Sequence, residues 1–394
     1  MNLPIRPLLR PLPFTQPIYV ARPRLPALEK YQARLEKIWT SGWLANNGAQ
    51  HQELEKALSA VLGAPHLSLF NNGTIGLMLG CKALGLSGEV ITTPFTFPAT
   101  AHVLNWNNIT PIFADIDPDT LTLAPAAIEP LITAQTSGIL GVHVYGVPCD
   151  VQGIEQLARP RGLKVIYDGA HAFGTTVNGQ PIAAFGDMTM YSFHATKLFH
   201  TAEGGALAVQ DPAVKQRLDL LKNFGIKNED EVILPGINGK MNELQAALGL
   251  ALLDEIADER ARRAQITALY RERLGKIDGL RLIEMPAGVT NSYQYQVVRV
   301  DAAITGMSRD ALHESLKTFN IITRKYFYPL CSQYSCYQHL PSAAPQRLPN
   351  AHRVAREVLT LPLFSALTNE DVHRICDAIN YCLAIGVSAS TTTG

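Results

Sequence analysis

The sequence predicts an α/β fold: a mostly parallel mixed sheet between helices, followed by a smaller C-terminal α/β domain. Two observations carry this expectation. Short apolar β-type runs alternate with helix-length segments along the first half of the chain. Those runs are mainly apolar, as strands are when a sheet is buried on both faces. Length agrees, since 394 residues suit about two domains. We expect a large domain over 1–250, including an N-terminal segment, and a small one over 251–394.

In chain order, "LPALEKYQARLEKIWTSG" and "AQHQELEKALSAVLG" have helical apolar spacing, and the second ends on Gly63. Seven strand-like runs follow: "HLSLF" (66–70), "EVITT" (89–93), "TPIFADI" (110–116), "GILGVHV" (138–144), "LKVIYD" (163–168), "MTMYSF" (188–193) and "GALAV" (205–209). Helix-length segments separate the first five. The last two lie closer together and predict a local departure from the repeat. "MNELQAALGLALLDEIADERARRAQITALYRERL" reads as one long helix leaving the core. The remainder mixes a strand, "SYQYQVVRV", with helices "SRDALHESLKTF" and "TNEDVHRICDAINYCLAIG", and the tail "SASTTTG" is expected to fray.

Composition excludes several function classes. A hydrophobic content of 47% and a charged content of 17% describe a folded globular chain. Lys+Arg and Asp+Glu both number 34, so no global field draws nucleic acid or an anionic membrane, and anionic ligands need local features. Six cysteines show no CxxC pair and no zinc spacing, which reads as reduced thiols in a cytoplasmic protein. The start, "MNLPIRPLLRPLPFTQP", is broken by proline and arginine and is not read as a signal peptide. No uncharged apolar run is long enough for a membrane span.

The chemistry concentrates where strands of the first domain end, the place where open parallel sheets bind ligands. In "LSLFNNGTIGLMLGCKALG" a strand is followed by Gly73-Thr74 and a helix, which offers free N–H groups as an anion seat or serves as a plain N-cap turn. No GxGxxG or P-loop occurs there. Asp168 closes "LKVIYD" before small residues and His171; it either caps the next helix or pairs with a ring-nitrogen cation. Phe95 reads as core, whereas Phe97 is open to stacking on a planar ligand. Lys197, in "SFHATKLFHTAEGGAL", stands alone after a strand with Ser192 and His194 before it. A phosphate seat, a flat ring, a strand-end carboxylate and a lysine are the parts that pyridoxal phosphate needs.

The sequence also resembles a known family, the nucleotide-sugar aminotransferases among the fold-type I pyridoxal phosphate enzymes. The resemblance runs through "SGWLANNGAQHQELEKAL", "TPFTFPATAHVLNW", "DIDPDTLTL", "VHVYGVPCDV", "VIYDGAHAFG", "FGDMTMYSFHATKLFHTAEGGAL", "GINGKMNELQAALGL" and "TRKYFYP". It implies that Lys197 binds the cofactor covalently and that Asp168 partners its ring nitrogen. His171 would stand beside its phenolic oxygen, with Gly73, Thr74 and Ser192 on the phosphate and Phe97 over the ring. Asn238 would reach the phosphate of a neighbouring subunit, making a homodimer with shared sites. Lys240 stands where the family usually has arginine, and lysine cannot make the bidentate fork to a carboxylate. Retention of Lys197 implies transamination rather than the dehydration of relatives with histidine there.

Two blocks, "SFHATKLFHTAEGGAL" and "VHVYGVPCDV", look most like members that aminate C4 of dTDP-4-keto-6-deoxyglucose with L-glutamate, for surface polysaccharide sugars. His194 and Lys240, with Arg324 and Tyr326 of "ITRKYFYP", are the candidate substrate contacts; the last motif reads equally as a solvated loop. Amination at C3 of a 3-keto sugar is the nearest alternative. A catalytically silent regulator of the same fold and a dinucleotide-dependent oxidoreductase are the readings from other classes.

Overall fold

The computed structural model describes residues 9–391; part of the proline-rich start and the end of the tail lie outside them. The seven apolar runs form one sheet of β1 (His66–Phe70), β2 (Glu89–Thr92), β3 (Thr110–Phe113), β4 (Thr136–Val142), β5 (Lys164–Asp168), β6 (Met188–Ser192) and β7 (Gly205–Val209). Their spatial order is β1-β7-β6-β5-β4-β2-β3. β7 runs antiparallel to both neighbours, and the other pairs are parallel. The expected departure at the last two runs is therefore an antiparallel return. Side chains alternate across the sheet: Leu69 and Ala206 enter one apolar layer, Phe70 and Leu207 the opposite one. Both faces are buried, which is why β7 reads Gly-Ala-Leu-Ala-Val with no polar residue on either face.

The helices around this sheet are α1 (Leu28–Ser41), α2 (Ala49–Leu62), α3 (Gly73–Ala83), α4 (Pro98–Trp106), α5 (Val151–Ala158), α6 (Pro212–Leu221) and α7 (Glu243–Leu253). α2 stops at Gly63, whose φ of +61° closes the helix as the glycine implied. At its other end the cap comes from far away. Buried Glu243, the first residue of α7, accepts the N–H groups of Gln50 (2.8 Å) and His51 (3.0 Å). A carboxylate at the positive end of a helix satisfies donors that the helix itself leaves unpaired.

The single helix expected after residue 240 is two helices. α7 ends at Leu253, and α8 (Ile256–Leu274) begins beyond Asp254 and Glu255. No glycine or proline marks the break. Glu255 is instead held by Arg24 at 2.6 Å and Lys30 at 2.9 Å, so tertiary contacts override local propensity there.

The C-terminal part is a three-stranded antiparallel sheet of β8 (Leu280–Leu282), β9 (Gln296–Val300) and β10 (Val358–Leu361), with β9 central. α8, α9 (Arg309–Lys317) and α11 (Asn369–Thr391) pack on it, while α10 (Pro349–Glu357) faces the first sheet's apolar residues. The N-terminal segment joins this part: Phe14 enters its core, and Ile18–Tyr19 pairs in parallel with Ile321–Ile322. Helix α11 continues through Thr391, into the stretch expected to fray.

Candidate active site

The carboxyl ends of β1, β2, β5 and β6 open on one cleft of about 630 Å³. Its floor at β1 is built for close approach. Asn72 caps α3 by accepting the Ile75 N–H at 2.8 Å, which leaves the N–H groups of Gly73 and Thr74 at the helix's positive end. A Cβ on Gly73 would lie 3.1 Å from Met190 Sδ and 3.2 Å from Ser192 Cβ. Gly205, opposite Phe70 and Ser192 in the ladder, would place a Cβ 2.6 Å from the Gly73 backbone. The Glu-Gly-Gly block thus lets the start of α3 rest on the ends of β6 and β7.

Asp168 ends β5 and is only 5% exposed. Its Oδ2 accepts the Thr100 hydroxyl at 2.8 Å, and Oδ1 accepts the Ala170 N–H at 3.0 Å. Burial pushes this carboxyl above the ordinary range, while the two hydrogen bonds and the Lys197 charge pull it back. His171 is buried beside it. Its ring stacks on Phe327 at 5.6 Å and meets the edge of Tyr295 at 5.0 Å. Nδ1 accepts the Tyr145 N–H at 3.3 Å, which leaves the ring proton on Nε2. Burial, and then Lys197, hold the His171 pKa well below its usual value, so the imidazole is neutral.

Lys197 sits in the loop between β6 and β7, its own N–H donating to the His194 carbonyl at 2.8 Å. Its Nζ lies 5.9 Å from the centre of the Tyr295 ring. Loss of water around the amine lowers its pKa to about 8, against the opposing pull of Asp168. Phe97, immediately before Pro98 of α4, stands on the wall with 56% of its surface exposed. Ser192 completes the β6 end, and Tyr326 closes the opposite side with its ring stacked on Phe327. His194 faces the rim, with Nδ1 2.9 Å from Thr196 Oγ1 and Nε2 3.6 Å from Glu203.

Three sequence candidates are not on this wall. Asn238 is exposed and bridges Asn223 through its backbone. Lys240 donates to Asn223 Oδ1 at 2.6 Å and lines a separate pocket with Lys215 and Lys222. Arg324 is exposed and pairs with Thr360. Conversely, Thr100, Gln294, Tyr295 and Phe327 reach the site without having been singled out. Tyr295 lies in a run whose alternation signals only a strand, and no local pattern marks Thr100 as facing Asp168.

Residues 27–380 match the family model described as the DegT/DnrJ/EryC1/StrS aminotransferase family. The chain is 45% identical over 361 residues to a dTDP-4-amino-4,6-dideoxy-D-glucose transaminase of Escherichia coli, covering 91% of this chain and 96% of that protein. It is 41% identical over 364 residues to a transaminase of the same name from Shigella dysenteriae, covering 92% and 98%. Among solved structures it is similar to DesI, crystallised in the presence of its TDP-sugar product, with a TM-score of 0.92, 37% identity and 97% of each chain covered. It is also similar to Helicobacter pylori PseC, an aminotransferase involved in the biosynthesis of pseudoaminic acid, at a TM-score of 0.87 and 26% identity over 94% of this chain and 100% of that one.

Proposed function

We infer amino transfer to a nucleotide-linked sugar from the premise that this chain belongs to the DegT/DnrJ/EryC1/StrS aminotransferase family. The protein is a pyridoxal phosphate-dependent sugar 4-aminotransferase with L-glutamate as the donor implied by the family. The name of the two relatives, a dTDP-4-amino-4,6-dideoxy-D-glucose transaminase, supports dTDP-4-keto-6-deoxyglucose as the acceptor. The geometric observation behind the reading is a buried carboxylate and a lysine of lowered pKa converging beside a glycine-opened helix start.

The cleft fits the cofactor on its own terms. Asp168 is buried beyond what its hydrogen bonds compensate, so a protonated ring nitrogen would supply the cation it needs. Gly73 and Thr74 offer N–H groups to a phosphate, with the Ser192 hydroxyl beside them. When bound, pyridoxal phosphate supplies the electron sink for a carbanion at the donor's α-carbon. Phe97 would offer the cofactor ring a flat apolar surface. Neutral His171, with its proton on Nε2, would offer a donor to the cofactor's ring oxygen. Lys197 Nζ, neutral in a useful fraction near pH 8, is the group that takes and returns the α-carbon proton. Tyr295, its ring centre 5.9 Å from that amine, gives it an apolar neighbour.

The test is direct. Incubation with L-glutamate and dTDP-4-keto-6-deoxyglucose should give a dTDP-sugar whose new amine NMR places on C4, and 2-oxoglutarate in equal amount. Amine on C3 of a 3-keto isomer, with the 4-keto sugar untouched, overturns the acceptor assignment.

The working unit is a homodimer with shared sites. Exposed Trp39, Leu44, Phe224 and Val232 are apolar surface that a lone subunit gives to water. Asn238, exposed on the segment after residues 226–233, is free of its own cleft, which supports its serving the cofactor phosphate of a second copy. Mixing Lys197→Ala with Asn238→Ala chains should restore one intact site per heterodimer. Heterodimers that form without regaining activity refute the sharing.

A further inference from the structure

We propose that Gln294 is the positioning residue that fixes the Lys197 loop, reaching it from the segment that leads into β9. This rests on the amino-transfer reading of the cleft, but its geometry is independent of it. The loop over 193–204 has no regular structure around the lysine. Its local backbone bonds are few near Lys197 itself, whose N–H reaches back to His194. Gln294 bridges both peptides that flank the lysine. Its Oε1 accepts the Leu198 N–H at 2.7 Å, and its Nε2 donates to the Thr196 carbonyl at 3.1 Å.

That double contact suits glutamine in particular. One planar amide offers an acceptor and a donor side by side, matched to one N–H and one C=O. A flipped amide would set oxygen against oxygen. Glutamate could keep the Leu198 contact but has no hydrogen for Thr196, and asparagine is a methylene shorter. Gln294 is itself 4% exposed, so its amide has little water to exchange partners with.

The amide is in turn held from behind. The Gln294 N–H lies 3.3 Å from Ser292 Oγ, and that hydroxyl donates to the His171 carbonyl at 2.6 Å. Arg260 donates to the Asn291 carbonyl at 2.8 Å, and Arg263 to that of Tyr293 at 3.4 Å. Arg263 is fixed by Glu259 at 2.6 Å within α8. A helix of the C-terminal part therefore anchors the strand segment, which anchors the lysine loop. One short run of chain places Ser292 against His171, Gln294 against Lys197, and the Tyr295 ring between them.

The experiment compares wild type, Gln294→Ala and Gln294→Glu as full-length protein. Hydrogen exchange on the cofactor-free form should quicken in peptides covering 194–200 and stay unchanged in β7 and β9. Covalent capture of added pyridoxal phosphate, followed by absorbance at fixed pH, should slow by about tenfold to a hundredfold in Gln294→Ala, because a misplaced amine meets its target less often. kcat should fall with it while KM for the acceptor sugar holds. Gln294→Glu, which keeps the Leu198 contact but sets a second oxygen against the Thr196 carbonyl, should slow capture at least as much as alanine, and it decides the matter if the alanine variant does not fold. Wild-type capture and kcat in either folded variant overturn the proposal, as does exchange that rises evenly through the chain. The exchange comparison needs no cofactor, so it decides the positioning role even if the amino-transfer reading fails.

Discussion

Replacing Lys197 with alanine should leave a folded protein whose transfer activity is lower by about three orders of magnitude or more, because the nucleophile and the proton carrier are one atom. Lys197→Arg should be as inactive. Arginine keeps a cation near Asp168 but does not lose its proton in a protein, so the pair of variants separates charge from nucleophilicity. In the wild type, borohydride should link the cofactor to the single peptide holding Lys197. The pH dependence has a defined sign. Capture of added cofactor by the cofactor-free protein should rise as pH passes about 8, since raising the pH frees the amine of its proton. A borohydride label on any other lysine, or an active arginine variant, overturns the assignment.

Asp168→Asn has the second-largest expected effect and the cleanest control. Asparagine can still accept the Ala170 N–H through its oxygen. Its nitrogen can donate to the Thr100 hydroxyl, which then turns its own hydrogen to Thr96 Oγ1, 2.9 Å away. Shape and hydrogen bonds survive, and only the charge is lost. Without it the ring nitrogen of the cofactor keeps little of its proton. kcat and kcat/KM should fall together by roughly a hundredfold or more, about 3 kcal/mol, because the lost stabilisation arises mainly in the transition state. Stability should move the other way. The folded Asp168 carboxyl is raised, so above the ordinary carboxylate pKa of about 4 its ionisation weighs against the cofactor-free fold, and asparagine removes that burden. The cofactor-free variant should therefore melt no lower than the wild type. Near-normal turnover with cofactor bound would mean that Asp168 merely caps the turn before Ala170.

What the sequence disclosed and what it withheld divide along physical lines. "HLSLF" and "GALAV" are strands over their full predicted length, and the unbroken apolar run of the second has one comfortable place in a sheet covered on both faces. Lys197, Asp168 and Gly73 were legible because strand ends converge in any parallel sheet, and chemistry-bearing residues at those ends share a cleft. The break at Glu255 was not legible, as it answers to Arg24 and Lys30, more than 200 residues away. Gln294 and Thr100 were hidden for the same reason. Each is an ordinary polar residue whose meaning comes from a partner brought alongside by the fold. Asn238 and Lys240 carry roles implied by resemblance and Arg324 one read from its cation–aromatic run, and a single chain does not bring them to the cleft.

The Glu243 cap on α2 has a consequence for how the chain is made. The carboxylate joins N–H groups 192 and 193 residues earlier, so the start of α2 cannot be completed until α7 has left the ribosome. At about 5–20 residues per second, that interval lasts roughly 10–40 s. Throughout it, Leu54, Leu58 and Leu62 lack the α7 side of their apolar layer, which Ala246 and Leu250 later supply. The N-terminal helices are synthesised first and docked late, and for that time their apolar stripe lacks the partner that later covers it.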